Sequence, residues 1–160
     1  MGTYVCLELA HWLQREGAPL PLGLMLAAGS APHHRKRLRR HLLPEADFIA
    51  ELQGYGGTPP QVFAHRELIE LVLPVLRADF EMVDEYDRAP EPRLPVPLAI
   101  WGGEQDCSVP LPAIEGWRDH TTASVEIALL PGGHFFLNSA GEQLREGVER
   151  TLRQWVLGKA

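Results

Sequence analysis

Two stretches of the sequence share one design: an apolar run, a pair of glycines, then an ionisable side chain. In "IWGGEQDCSVP" the run Leu98–Trp101 passes through Gly102 and Gly103 to Asp106, and in "LLPGGHFFLN" the run Val125–Leu130 passes through Pro131, Gly132 and Gly133 to His134. Short apolar runs closed by glycine suit buried parallel strands, and open α/β sheets gather their reacting groups beyond the carboxyl ends of such strands. A carboxylate there can hold an imidazole in one tautomer and stabilise its charged form while the imidazole moves a proton. Each residue also has a plainer reading, since loop aspartates cap helices and a histidine beside Phe135 and Phe136 serves equally as a core side chain. The two phenylalanines either wall a site or fill a core.

Such a relay acts on a nucleophile. The serines are Ser30, Ser108, Ser124 and Ser139, and none stands in a strand–turn–helix elbow flanked by glycines. Ser108 reads as a cap for the turn that follows Asp106, and Cys6, one turn into the first helix, as a packed residue.

The elements that must position these groups follow from periodicity. Val5, Leu9, Trp12 and Leu13 lie on one helical face, with Gly17 as the stop. A helix starting this close to residue 1, with no cap and no strand before it, reads as a fold entered midway. Leu22–Ala28 forms a first buried strand, and "GSAPHHRKRLRRHLLP" a loop with a short helical turn. From Pro44 to Tyr86 the pattern is helical in pieces, broken at "QGYGGTPP", with Leu68, Leu71, Val72, Val75 and Leu76 on a stripe that Pro74 should kink. These helices read equally as a lid over something apolar or as an ordinary helical subdomain. "LPAIEGWRDHT" is helix-like, and the last helix carries Leu144, Val148, Leu152 and Trp155. Strands alternating with helices predict an α/β fold with a parallel sheet.

Composition narrows the function classes. The chain of 160 residues, 45% hydrophobic and 22% charged, is one globular domain's worth, and no apolar run approaches the roughly 18 residues of a membrane span. A net charge of −6 argues against nucleic acid as a partner. The local exception, Arg35, Lys36, Arg37, Arg39 and Arg40 flanked by His33, His34 and His41, reads either as a solvated loop or as a docking surface for an acidic protein. Cys6 and Cys107 lack the spacing of a zinc or redox motif, so no metal or cofactor is expected and a reducing cytoplasm is the default. The opening residues lack the basic start of a signal peptide and the signature of a myristoylation site.

Taken together, "APHHRK", "FIAELQGYGGTPPQVF", "ELIELVLPVLRADFEMVDEY", "PLAIWGGEQDCSV", "WRDHTT" and "LLPGGHFFL" resemble, in order and spacing, the type II thioesterases that accompany nonribosomal peptide and polyketide synthases. The resemblance covers essentially the whole chain. It implies a single truncated α/β-hydrolase domain over residues 1–160, with C-terminal parallel strands, flanking helices and a helical lid at about 44–86. It implies that Asp106 and His134 are the acid and base of a Ser-His-Asp triad. It also sets Met1 and Gly2 on the last two positions of a Gly-x-Ser-x-Gly elbow, making the Met1 backbone N–H an oxyanion donor and Gly2 the elbow glycine. The serine would then be the residue before Met1, and the chain would be a C-terminal fragment, inactive alone. An open edge on its first strand would make it prone to self-association.

The activity implied is hydrolysis of acyl thioesters on the phosphopantetheine of acyl or peptidyl carrier proteins, which clears misprimed or stalled groups in antibiotic assembly without a cofactor. The alternatives are a fatty-acyl carrier thioesterase or acyltransferase on the same scaffold, and a carrier-binding module that does not hydrolyse.

Overall fold

The structure is a computed structural model that describes residues 1–158. Two compact units are present, one made of Lys36–Asp87 and taking in Met1, the other of Gly2–Arg35 and the chain from Arg88 onward.

The larger unit is built on a parallel sheet in the order β1 (Leu24–Ala27), β2 (Leu98–Gly103), β3 (Val125–Leu130). Leu98 stands opposite Leu24 on one side and Val125 on the other, and Trp101 stands between Ala27 and Ala128. Every residue of β2 is buried, which is why its sequence runs apolar without alternation. The three strands lie on the expected apolar runs, but β1 starts two residues later and ends one earlier than Leu22–Ala28, and β2 continues through Gly102 and Gly103. Helix α1 (Gly2–Arg15), the short α5 (Leu111–Glu115) and α6 (Phe136–Ser139), and α7 (Gly141–Leu157) complete this unit. Under one face of the sheet, Ala99, Trp101 and Phe136 form a core against which Leu144, Val148 and Trp155 of α7 pack. Phe136 is therefore a core residue. Leu152, expected on the same helical stripe, is exposed, and Thr151 is buried in its place.

Helix α1 corrects the sequence reading more strongly. The helix is present and ends before Gly17, whose φ is +64°, yet Val5, Leu9 and Trp12 are about half exposed. Its buried face is Thr3, Tyr4, Leu7, Ala10 and His11. Tyr4 donates to the Ser30 carbonyl at 3.1 Å, and the Thr3 side chain fills the space that a Cβ on Gly29 would need. Hydrophobicity favoured one face of α1, and the groups it meets selected the other. Cys6, expected to be packed, is exposed.

In the helical unit, α2 (Glu45–Tyr55), α3 (Pro60–Ala64) and α4 (Arg66–Glu85) surround Phe48, Leu52 and Leu73, with Ile69, Leu76 and Phe80 packed against them. Helix α4 continues through Pro74, and of the predicted stripe Leu76 packs against this core and Val72 is half-buried, while Leu68, Leu71 and Val75 are exposed and Leu73 is buried instead. Residues 36–39 of the basic stretch are exposed, as a solvated loop would be, but Arg40 is not. Arg40 is buried, its backbone N–H and guanidinium both on the fully buried Asp84, while Arg37 pairs with Asp87 and Arg39 with Glu85. Arg35, in the other unit, donates to Tyr4 at 3.1 Å. The run of basic residues in the sequence thus overstates the positive field of residues 35–40, because Asp84 and Glu85 of α4, and Asp87 just beyond it, supply counter-ions. Among the described residues no helix is long and apolar enough to cross a membrane.

Candidate active site

The two Gly-Gly loops meet at the ends of β2 and β3, and backbone pairing locks them together. Glu104 N–H donates to the Leu130 carbonyl at 2.9 Å and Gln105 N–H to the Gly132 carbonyl at 2.9 Å, while Gly132 N–H returns to Gln105 Oε1 at 2.6 Å. The glycines make this approach possible. A Cβ on Gly103 would lie 2.3 Å from the Gly133 carbonyl oxygen, and Gly132 takes φ +127°, which side chains rarely adopt. One glycine of each pair, Gly103 and Gly132, is therefore required where the two loops meet.

Fixed in this way, the loops bring Asp106 and His134 together. His134 Nδ1 lies 2.8 Å from Asp106 Oδ2. The other carboxylate oxygen, Oδ1, accepts the Ser108 N–H at 2.8 Å, the Ser108 hydroxyl at 2.5 Å and the Val109 N–H at 3.2 Å. The Asp106 side chain is 2% exposed and that of His134 is 26% exposed. Burial alone would push the Asp106 carboxyl up, but the hydrogen bonds from His134 and Ser108 outweigh it and hold the group below its ordinary range. An ionised Asp106 takes the Nδ1 proton as its donor, which leaves the lone pair of a neutral His134 on Nε2. The Phe135 ring stands edge-on to His134, with centroids 5.2 Å apart.

Two residues of this site escaped the sequence reading. Ser108 caps no helix: α5 begins after Pro110 with no side-chain cap. The roles are reversed, with Asp106 closing the turn and the Ser108 hydroxyl reaching 3.1 Å from His134 Nδ1. Gln105 ties the loops together. A signal for Ser108 existed in its spacing of two from an aspartate, the spacing of an Asx turn.

Met1 and Gly2 stand at the start of α1. A Cβ on Gly2 would meet nothing within 4 Å, so the packing here does not demand that glycine. Ser30 follows β1, Ser124 precedes β3, and Ser139 closes α6 by donating to the Pro131 carbonyl. Ser108 stands within hydrogen-bond distance of His134, and its hydroxyl is engaged by Asp106.

Comparison with known proteins agrees with this architecture. Residues 1–155 match the family model of the thioesterase domain. The chain is 36% identical to the linear gramicidin dehydrogenase LgrE of Brevibacillus parabrevis over 99% of its own length and 62% of LgrE. It is 31% identical to the thioesterase PikA5 of Streptomyces venezuelae, over 90% of this chain and 51% of PikA5. The solved structure of RedJ, a thioesterase from the prodiginine biosynthetic pathway in Streptomyces coelicolor, superposes with a TM-score of 0.80 at 31% identity, covering 89% of this chain and 54% of RedJ. The chain thus spans 51% to 62% of the length of these three relatives. A matched span of 155 residues, with a parallel sheet that superposes on solved thioesterases, places the chain in the thioesterase-domain family.

Proposed function

We propose that residues 1–160 supply the acid–base half of a type II thioesterase that hydrolyses acyl thioesters on the phosphopantetheine of a carrier protein. The observation that carries this reading is the buried Asp106 bound at 2.8 Å to His134 Nδ1, at the carboxyl ends of adjacent parallel strands. His134 would take the proton of an attacking serine and return it to the departing thiol, and Asp106 would orient the ring and stabilise its charged form.

On the same reading the backbone N–H of Met1 and the glycine at Gly2 belong to the elbow, since the open N–H groups of a helix start suit a developing oxyanion. The helical unit, inserted in the sequence between β1 and β2, is read as the lid. No serine of residues 1–160 occupies the elbow, so the isolated chain is expected to have no thioesterase activity. The arginine-rich stretch loses its claim as the main carrier-docking surface, because Asp84, Glu85 and Asp87 pair with it. Dehydrogenase chemistry, suggested by the name of LgrE, draws no support from this sequence, which contains no Gly-x-Gly-x-x-Gly cradle for a dinucleotide.

The test is a chimera joining the segment of RedJ that precedes the matched region to Met1. It is expected to hydrolyse an acyl-phosphopantetheinyl carrier, while the 160-residue chain alone does not. His134→Ala in the chimera should lose at least about 10⁴-fold in kcat. A chimera that binds the carrier without hydrolysing it favours the non-catalytic binding module, and an active isolated chain overturns the assignment of the nucleophile.

A further inference from the structure

We propose that His33, His34 and Asp119 form a binding site for one divalent transition-metal ion of the zinc class, apart from the Asp106–His134 pair. The two histidines lie on the helical turn Pro32–His34 that follows β1, and Asp119 on the turn Gly116–His120 that follows α5. One ligand atom from each of the three falls within 4.8 Å of the others. His33 Nε2 is 3.2 Å from Asp119 Oδ2, and the two imidazole rings have centroids 4.5 Å apart. Ligand atoms around a tetrahedral zinc ion sit roughly 3.4 Å from one another, so small side-chain movements suffice to close the site.

Two further features show that these rings are held. His33 Nδ1 lies 3.0 Å from Nε2 of His120, an imidazole with no solvent exposure whose own Nδ1 has no hydrogen-bond partner among the described residues. A metal-bound histidine usually donates its second ring N–H to an acceptor, most often a carboxylate, carbonyl or water, which fixes the tautomer; here His120 Nε2 stands in the acceptor's place. His34 is seated by Gly116, since a Cβ there would lie 2.4 Å from His34 Cδ2. His34 and Asp119 are open to solvent, so an ion has a route in and a fourth position remains for water.

Two imidazoles and one carboxylate select zinc, cobalt or nickel over calcium and magnesium, which require oxygen donors. Cysteine spacing had argued against any metal. The donors here are of other types, and His33 lies 86 residues from Asp119, a distance that only the fold closes.

Zinc alone is the probe, titrated calorimetrically into the untagged chain with Cys6→Ser and Cys107→Ser, which removes the two exposed thiols. One ion per chain is expected, with affinity at least about tenfold lower in His34→Ala and in Asp119→Asn. His65→Ala, an exposed histidine elsewhere, should leave it unchanged. Cobalt should give the intense visible absorption of a tetrahedral site and lose it in His34→Ala. Because His34 and Asp119 are exposed, both variants are expected to keep the far-UV circular dichroism of the parent. Absence of saturable zinc binding, or equal affinity in parent, His34→Ala and Asp119→Asn, overturns the proposal.

Discussion

The Ser108 hydroxyl lies 2.5 Å from Asp106 Oδ1 and 3.1 Å from His134 Nδ1, so one short side chain touches both members of the acid–base pair. Its donated hydrogen bond, with the two backbone N–H groups on the same oxygen, saturates Oδ1 and leaves Oδ2 to the imidazole. Ser108→Ala should therefore raise the Asp106 pKa towards its ordinary value and cost about 1 kcal/mol of stability. Carboxyl-carbon NMR titration of Asp106 reads the first effect. An unchanged titration curve would show that the hydroxyl does not help to hold the carboxylate.

The two glycines Gly103 and Gly2 should respond oppositely to alanine. At Gly103 the new methyl meets the Gly133 carbonyl, and overpacking of this kind costs about 1–3 kcal/mol and should separate the two loops. At Gly2 nothing is within 4 Å, and alanine in the first helical turn should be neutral or slightly stabilising. Urea unfolding of both variants distinguishes them, and equal midpoints would contradict the loop-contact argument.

The buried pair of Arg40 and Asp84 should be costly to break from one side. Asp84 has no solvent exposure and accepts both the Arg40 backbone N–H and its guanidinium. Asp84→Asn leaves a buried guanidinium without its counter-charge, an effect of roughly 3–5 kcal/mol. The helical unit should then unfold at lower denaturant, with little response to added salt because the pair is shielded from it. A loss below 1 kcal/mol would mean that water reaches the pair.

Acid should weaken the larger unit through His11. Burial lowers its pKa below the usual 6.5, Arg88 and Arg15 add to the shift, and Glu8 and a hydrogen bond with Gln14 oppose it. A second buried imidazole, His120, is pushed down to about 4, first by burial and then by nearby positive groups that include His33 and His11. A histidine whose folded pKa is depressed gives stability that is complete above the unfolded value and lost as pH falls from 6.5 through the folded value. The melting temperature should thus fall from pH 7 to pH 5, and His11→Leu should flatten part of that slope. An identical slope in the variant would remove His11 from the account.

Self-association is expected of the isolated chain. Among the described residues β1 pairs with β2 alone, which leaves its outer side as an edge, and Val5, Leu9 and Trp12 of α1 are exposed in the same unit. Unpaired strand edges recruit other chains. Sizing chromatography should show species that grow with concentration, reduced by Leu9→Lys. A sharp monomer at every concentration would count against it.

The strands and the acid–base pair were legible in the sequence because their signals are local. A strand buried on both faces must be apolar throughout, and its end is marked by the Gly-Gly step that lets two loops cross, so β2, β3, Asp106 and His134 could be read from runs a few residues long. The tertiary structure alone decided which face of each helix is buried. On α1 and α4 both faces carry apolar residues, and the choice fell to groups far away in the chain, such as Gly29 and Ser30 for α1 and Phe48 and Leu52 for α4. The same holds for charge and for polar partners. Arg37, Arg39 and Arg40 look like free positive charge until the end of α4 and the residues just after it set acids against them, and Ser108 looks like a cap until the fold carries His134 to its hydroxyl. Periodicity records how much apolar surface an element offers, and only packing against distant partners determines which part of it leaves water.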